Sequence, residues 1–182
     1  MKHQFLKWME NKAQQLRRKV HLKPLDPLDP YALAPNMDIS VISAHEVRAL
    51  SSSCRNHLLT KGSREWSAGT ITLSPKNHLV ILNPNHLDTR KRASLMEEIS
   101  HIFLKHKPSS LFVLNSNVAM RSYKKSQESQ AYGVGAAALV PADLLYHASE
   151  KGMPKSELAD YCRVSLDLVN FRSKITRIPL QE

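Results

Sequence analysis

The sequence predicts an α+β domain, and three observations carry that prediction. Two strand-like runs, "GTITLSP" and "HLVILNP", meet at the turn signal "SPKN". A long helical pattern follows at once, over residues 88–107. Further helical patterns lie on both sides, with no internal repeat and no low-complexity segment. With 182 residues, 42% of them hydrophobic, the chain suits one domain with a sizeable core and a small appendage.

The elements follow in order. Residues 2–20 read as an amphipathic helix, with Phe5, Leu6, Met9, Ala13 and Leu16 at helical spacing. Its scattered charges leave no uninterrupted apolar stretch of the kind a signal peptide needs. "KPLDPLDPYALAPN" carries four prolines and predicts an extended connector, with at most a short helix near Asp29. Residues 39–42 read as a strand, and 43–59 as a helix interrupted by loop signals. "GTITLSP" alternates like a half-buried strand, whereas the unbroken apolar run "HLVILNP" predicts burial on both faces. Asp88 or Thr89 can cap the next helix, and Pro108 marks its end. Helices are expected over 122–139 and from Pro141 onward, then two short ones in the tail. The chain thus divides into an N-terminal helical arm with a Pro-rich connector (1–34), a central α+β unit (35–140) and a helical tail (141–182).

Composition narrows the function. No run of about 18 apolar residues occurs, so a membrane span is not expected and a cytoplasmic protein is. Cys54 and Cys162 lack metal-ligand spacing and read as reduced thiols. Trp8 and Trp66 read as core anchors. The net charge of +10 favours an acidic partner, a protein face or nucleic acid, although "LRRKV", "DTRKRA" and "RSYKK" are too short to be basic tails.

The stretch "LMEEISHIFLKH" carries the chemistry. It differs by one letter from the H-E-x-x-H helix of zinc proteases. Glu97 and His101 are four residues apart, so they stand about 40° apart on one helix face and can grip one ion. Glu98 borders that face, while Leu95, Ile99, Ile102 and Phe103 point toward a core. Burying the three polar groups unpaired would be costly, and a cation relieves that cost. A metal site needs about three protein ligands and an open position for water. The residue after the first ligand then moves the water's proton to the leaving amine. His106, about 140° from His101 on a continuous helix, is not expected to be a ligand.

The run from Trp66 to Ser109, "WSAGTITLSPKNHLVILNPNHLDTRKRASLMEEISHIFLKHKPS", resembles the ImmA/IrrE family of zinc metallo-endopeptidases. That family has a strand pair, N-P, the metal helix and a further His, then a segment of the form E-x-x-A-[ND]-x-F-A-x-x-L-L-x-P. Here the segment is "ESQAYGVGAAALVP". The tail, with "VSLDLVNFR", is also similar, so the resemblance covers roughly residues 15 to 178. It implies a zincin-like fold for the central unit, with a helix-turn-helix-like C-terminus. It also implies roles: Glu97 stands at the first ligand position, Glu98 is the general base and acid, His101 the second ligand and Glu128 the third. Tyr132 replaces the usual Asn or Asp and Val134 the usual Phe, while Gly133 and Gly135 soften that helix.

The Glu97 departure leaves three outcomes open. The chain is an active peptidase with an altered ligand set, a metal binder without turnover, or an empty binding module. In the last case Arg90, Lys91 and Lys105 are the basic side chains close enough in sequence to pair with the carboxylates. Two carboxylates and an imidazole neutralise a bound Zn²⁺ and suit Mn²⁺ or Fe²⁺ better than the family pattern does. The resemblance implies a separate repressor-type helix-turn-helix protein as substrate or partner. The tail offers a rival, a non-catalytic or DNA-binding regulator in which Arg172, Lys174 and Arg177 meet phosphates. The bland reading is that the tail packs on the central unit.

Overall fold

A computed structural model describes residues 2–48, 50–107, 110–113 and 119–182. Its centre is a pair of helices, α4 (Asp88–Phe103) and α5 (Lys125–Leu139). Leu95, Met96 and Ile99 on α4 share one core with Val134 and Ala138 on α5, all fully buried. The N-terminal helix α1 (Lys2–Arg18) lies against α5 through Met9, Ala13 and Leu16. Phe5, on the same stripe, stays 39% exposed at the free end.

Glycine sets how closely these helices approach. A Cβ at Gly133 would fall 2.2 Å from Sδ of Met9, and one at Gly135 would fall 3.3 Å from the backbone of Met96. The two glycines therefore serve helix packing.

The sheet contains β1 (Ile39–Ser43), β2 (Ala68–Thr72) and β3 (His78–Leu82), in the order β1-β3-β2. β2 and β3 form the expected antiparallel hairpin, with Thr70 opposite Val80; β1 runs parallel to β3. β3 is central, yet only Val80 and Leu82 are fully buried. The alternate residues Leu79 and Ile81 lie on a half-covered face, so the apolar run overstated burial. Thr70 points into the interior beside α4, 4% exposed.

Other boundaries shift for local reasons. The helix expected over 43–59 breaks into a 3₁₀ turn at Ala44–Glu46 and α3 at Ser52–Leu59, because Ser43 and Ser51 each cap a new start. The short helix expected near Asp29 is α2 (Pro30–Leu33), and the Asp29 side chain caps it. Two strands the reading did not foresee, β4 (Ser110–Val113) and β5 (Ala119–Ser122), pair antiparallel before α5, which delays its start to Lys125. Pro108, expected to end α4, lies outside the described residues. Among the described residues no helix is long and apolar enough to cross a membrane.

The tail is α6 (Ala142–Lys151), α7 (Lys155–Cys162) and α8 (Leu166–Thr176). The turn between α7 and α8 puts Arg163 in the left-handed region, φ 53°. Glycine takes that position more cheaply, and an L-residue there costs roughly 1–2 kcal/mol. Leu158, Cys162, Val164 and Val169 bury the pair against the rest of the chain.

Three basic residues are internal fasteners, which corrects the reading of them as surface charge. Arg17 is fully buried and donates to the carbonyls of Ala138 (2.9 Å), Lys23 (2.9 Å), Pro24 (3.2 Å) and Asp26 (2.6 Å), pinning the connector to α5. Arg92 pins the connector to α4, donating to the Leu28 carbonyl and to the Asp29 carboxylate, each at 3.0 Å. Arg172 is fully buried, donates to the Val140 carbonyl at 2.8 Å and pairs with Glu10 of α1. It cannot reach a phosphate, so the DNA-contact reading loses that residue; Lys174 and Arg177 remain exposed. Glu10 also accepts from the Ala142 N–H, tying α1, α6 and α8 at one point. Arg172→Met leaves Glu10 without its cation and the Val140 carbonyl unmet. Chemical denaturation is expected to show a loss of about 3–5 kcal/mol. A loss below about 1 kcal/mol would show the knot is dispensable.

Candidate metal centre

Helix α4 brings Glu97 and His101 to one face one turn apart, as the spacing required. Glu128 enters from the first turn of α5. One donor atom from each of the three lies within 4.8 Å of the others. Nε2 of His101 stands 3.5 Å from Oε2 of Glu128. A four-coordinate ion with bonds of about 2.0–2.2 Å holds its donors roughly 3.3–3.6 Å apart, so closure needs only small side-chain adjustments. Ser67, Ala68, Ser94, Glu98 and Tyr123 complete the walls of this small polar pit of about 200 Å³.

The electrostatics favour a cation. Burial, and then the charges of Glu128 and Glu98, push the Glu97 carboxyl from 4.5 up to about 7. Both charges it feels are negative. Of the basic residues considered as partners, Arg90 donates to Ser67 in the wall of the pit at 3.0 Å and Lys91 lies 3.9 Å from Asp88, and neither is among the charges that shift Glu97. Burial raises Glu128 as well, partly offset by the backbone N–H of Tyr123. His101, 2% exposed, is pushed down to about 4 by burial and by His106, so its imidazole is neutral at pH 7. Two carboxylates and a neutral imidazole are a suitable donor set for a divalent ion.

Glu98 points toward the sheet. Its Oε2 accepts from the Thr70 hydroxyl at 2.5 Å. Strand β2 therefore fixes the carboxylate beside the three donor residues. The Tyr123 ring stacks on His101, centroids 3.8 Å apart and planes 22° from parallel.

Among the neighbours, Thr70 and Tyr123 escaped the sequence reading, and His106, rightly set aside as a ligand, lies closer than expected. Its position follows from how α4 ends. The helix stops at Phe103, and Lys105 turns left-handed at φ 55°. The Lys105 N–H reaches the Ile102 carbonyl and the His106 N–H the His101 carbonyl, each at 3.0 Å, a Schellman ending. That ending folds His106 back over His101, placing the two Nδ1 atoms 3.0 Å apart. A continuous helix would have carried His106 away, and the 140° argument assumed one. His106 still lies outside the donor triad, because both its ring nitrogens are engaged, Nε2 with Gln130 at 3.0 Å.

Tyr132, at the family's Asn or Asp position, packs edge-on against Phe171 of α8, and Val134 is fully buried. No curated protein matches the chain. The model of the IrrE N-terminal-like domain, Peptidase_M78, matches residues 58–174, well over half the chain, from α3 into α8. The chain belongs to the M78 peptidase family and carries its IrrE-like domain.

Proposed function

We propose that the protein is a cytoplasmic metal-dependent endopeptidase with an altered ligand set, Glu97, His101 and Glu128, acting on a separate repressor-type helix-turn-helix protein. The convergence of those three donors within 4.8 Å is the observation that carries the reading. Family membership supports the peptidase chemistry, and the +10 charge suits a protein substrate with an acidic face.

Glu97, His101 and Glu128 would hold a divalent cation, which would supply Lewis acidity and a more acidic water at this site. The chain's own residues do the rest. Glu98 takes the proton from the attacking water and delivers it to the leaving amine. Thr70 holds the Glu98 carboxylate in place for both transfers. Tyr123 covers one face of the His101 ring and limits its motion. With two carboxylates in the set, Zn²⁺ would be neutralised, and Mn²⁺ or Fe²⁺ become competitive occupants.

Elemental analysis of untagged protein tests the reading. About one ion per chain is expected, falling to a trace in Glu128→Ala while circular dichroism stays unchanged. Metal-free wild-type protein that also fails to take up Zn²⁺, Mn²⁺ or Fe²⁺ on dialysis would sink it.

A further inference from the structure

A metal-binding imidazole must offer a lone pair, and which nitrogen offers it depends on the other nitrogen's hydrogen bond. His101 is almost fully buried, so its partners alone decide. Those partners form a chain. Nδ1 of His101 meets Nδ1 of His106 at 3.0 Å, and Nε2 of His106 meets Oε1 of Gln130 at 3.0 Å. On the other side of the ring, Nε2 of His101 faces Glu128 at 3.5 Å.

A neutral imidazole has one N–H and one acceptor nitrogen, so the chain can run in two directions. In the first, the Gln130 carbonyl oxygen accepts from Nε2–H of His106. Nδ1 of His106 then accepts from Nδ1–H of His101, and Nε2 of His101 is left with a lone pair aimed at the carboxylates. In the second, every N–H reverses. Nε2–H of His101 then points at Glu128 and latches the site shut without an ion. The structure favours the first. The Gln130 oxygen faces His106, and each N–H then meets an acceptor at 3.0 Å. The second leaves the His101 N–H at 3.5 Å from its acceptor, too far for a well-formed bond.

We propose that Gln130 and His106 form a relay that holds His101 as the Nδ1–H tautomer and so presents its Nε2 to the cation. Both are positioning residues outside the donor triad. The relay crosses from α5 to the residue just beyond the Schellman ending of α4, so it also ties the two helices that supply the ligands. Its value for metal binding rests on the metal-centre reading above; the tautomer itself does not.

The test uses the full chain with ring-¹⁵N histidine, metal-free, near pH 7.5. Long-range ¹H–¹⁵N spectra should show His101 protonated on Nδ1 and bare on Nε2. Gln130→Leu should lose that signature and weaken Zn²⁺ binding about 10- to 100-fold. Gln130→Glu keeps an acceptor oxygen and should keep the tautomer. His106→Phe, which retains the ring packing, should behave as Gln130→Leu and guards against a mere folding defect. Wild-type His101 protonated on Nε2, or a tautomer indifferent to Gln130→Leu and His106→Phe, would overturn the relay. Wild-type protein that shows the Nδ1–H signature yet binds no ion would support the relay and remove the metal reading instead.

Discussion

Glu98→Gln is expected to reduce hydrolysis by about 10²- to 10⁴-fold while leaving the metal content unchanged. The amide is nearly isosteric and its oxygen can still accept from Thr70, so the strand-to-helix contact survives. What is lost is the capacity to take a proton, together with the smallest of the three influences that raise the Glu97 carboxyl. The three donor residues do not include Glu98, so binding should be spared. Fluorescein-labelled casein and elemental analysis of the same preparations give both readouts. Undiminished turnover would remove Glu98 from its role. Joint loss of turnover and ion would instead place Glu98 among the ligands.

That separation of roles is partly legible in the sequence. Helical spacing fixes Glu97 and His101 on one face, and α4 carries them there. Glu128 came only through the family resemblance, because nothing local relates a residue at the start of α5 to one 27 positions earlier on α4. Thr70 was legible as one member of an alternating strand. That it would face Glu98 depends on how the sheet seats on the helix, which periodicity does not encode. His106 was misplaced for a sharper reason. A helix ending with a left-handed lysine gives little sequence warning, since glycine is the usual signal there. One reversed backbone angle then exchanges a residue 140° away for one in contact with His101.

Charge misled in a related way. Arg17, Arg92 and Arg172 read as parts of basic clusters or phosphate contacts, but all three are buried. A guanidinium has five donors in a fixed fork, which suits converging backbone carbonyls as well as phosphates. Arg17 meets four such carbonyls, supplied by a Pro-rich connector and the end of α5. The connector's prolines cannot donate hydrogen bonds, which leaves its carbonyls available for such a partner. Surface charge therefore guides partner choice less well than the net value suggests, whereas the negative pit at Glu97, Glu98 and Glu128 is local and buried enough to matter.

Glu97→His should produce the largest change in metal behaviour. In the wild-type chain the Glu97 carboxyl is held at about 7, above its ordinary 4.5. A raised carboxyl favours the protonated folded state. The metal-free protein should therefore lose stability as pH rises from about 4.5 to about 7, then level off. An ion must displace that proton, so apparent affinity should fall about tenfold for each pH unit below 7 and plateau above it. Histidine at this position changes three things together. It removes one of three crowded carboxylates, restores two imidazoles for Zn²⁺, and leaves a zinc site at a net +1 rather than neutral. Zinc titrations at pH 6 should show affinity at least about tenfold tighter than wild type, with the Mn²⁺-to-Zn²⁺ preference reduced. The more positive centre should also acidify its water further and raise turnover at pH 7. Weaker zinc binding in Glu97→His would mean that position 97 does not face the ion, and that the acidic pit is held together by something other than a shared cation.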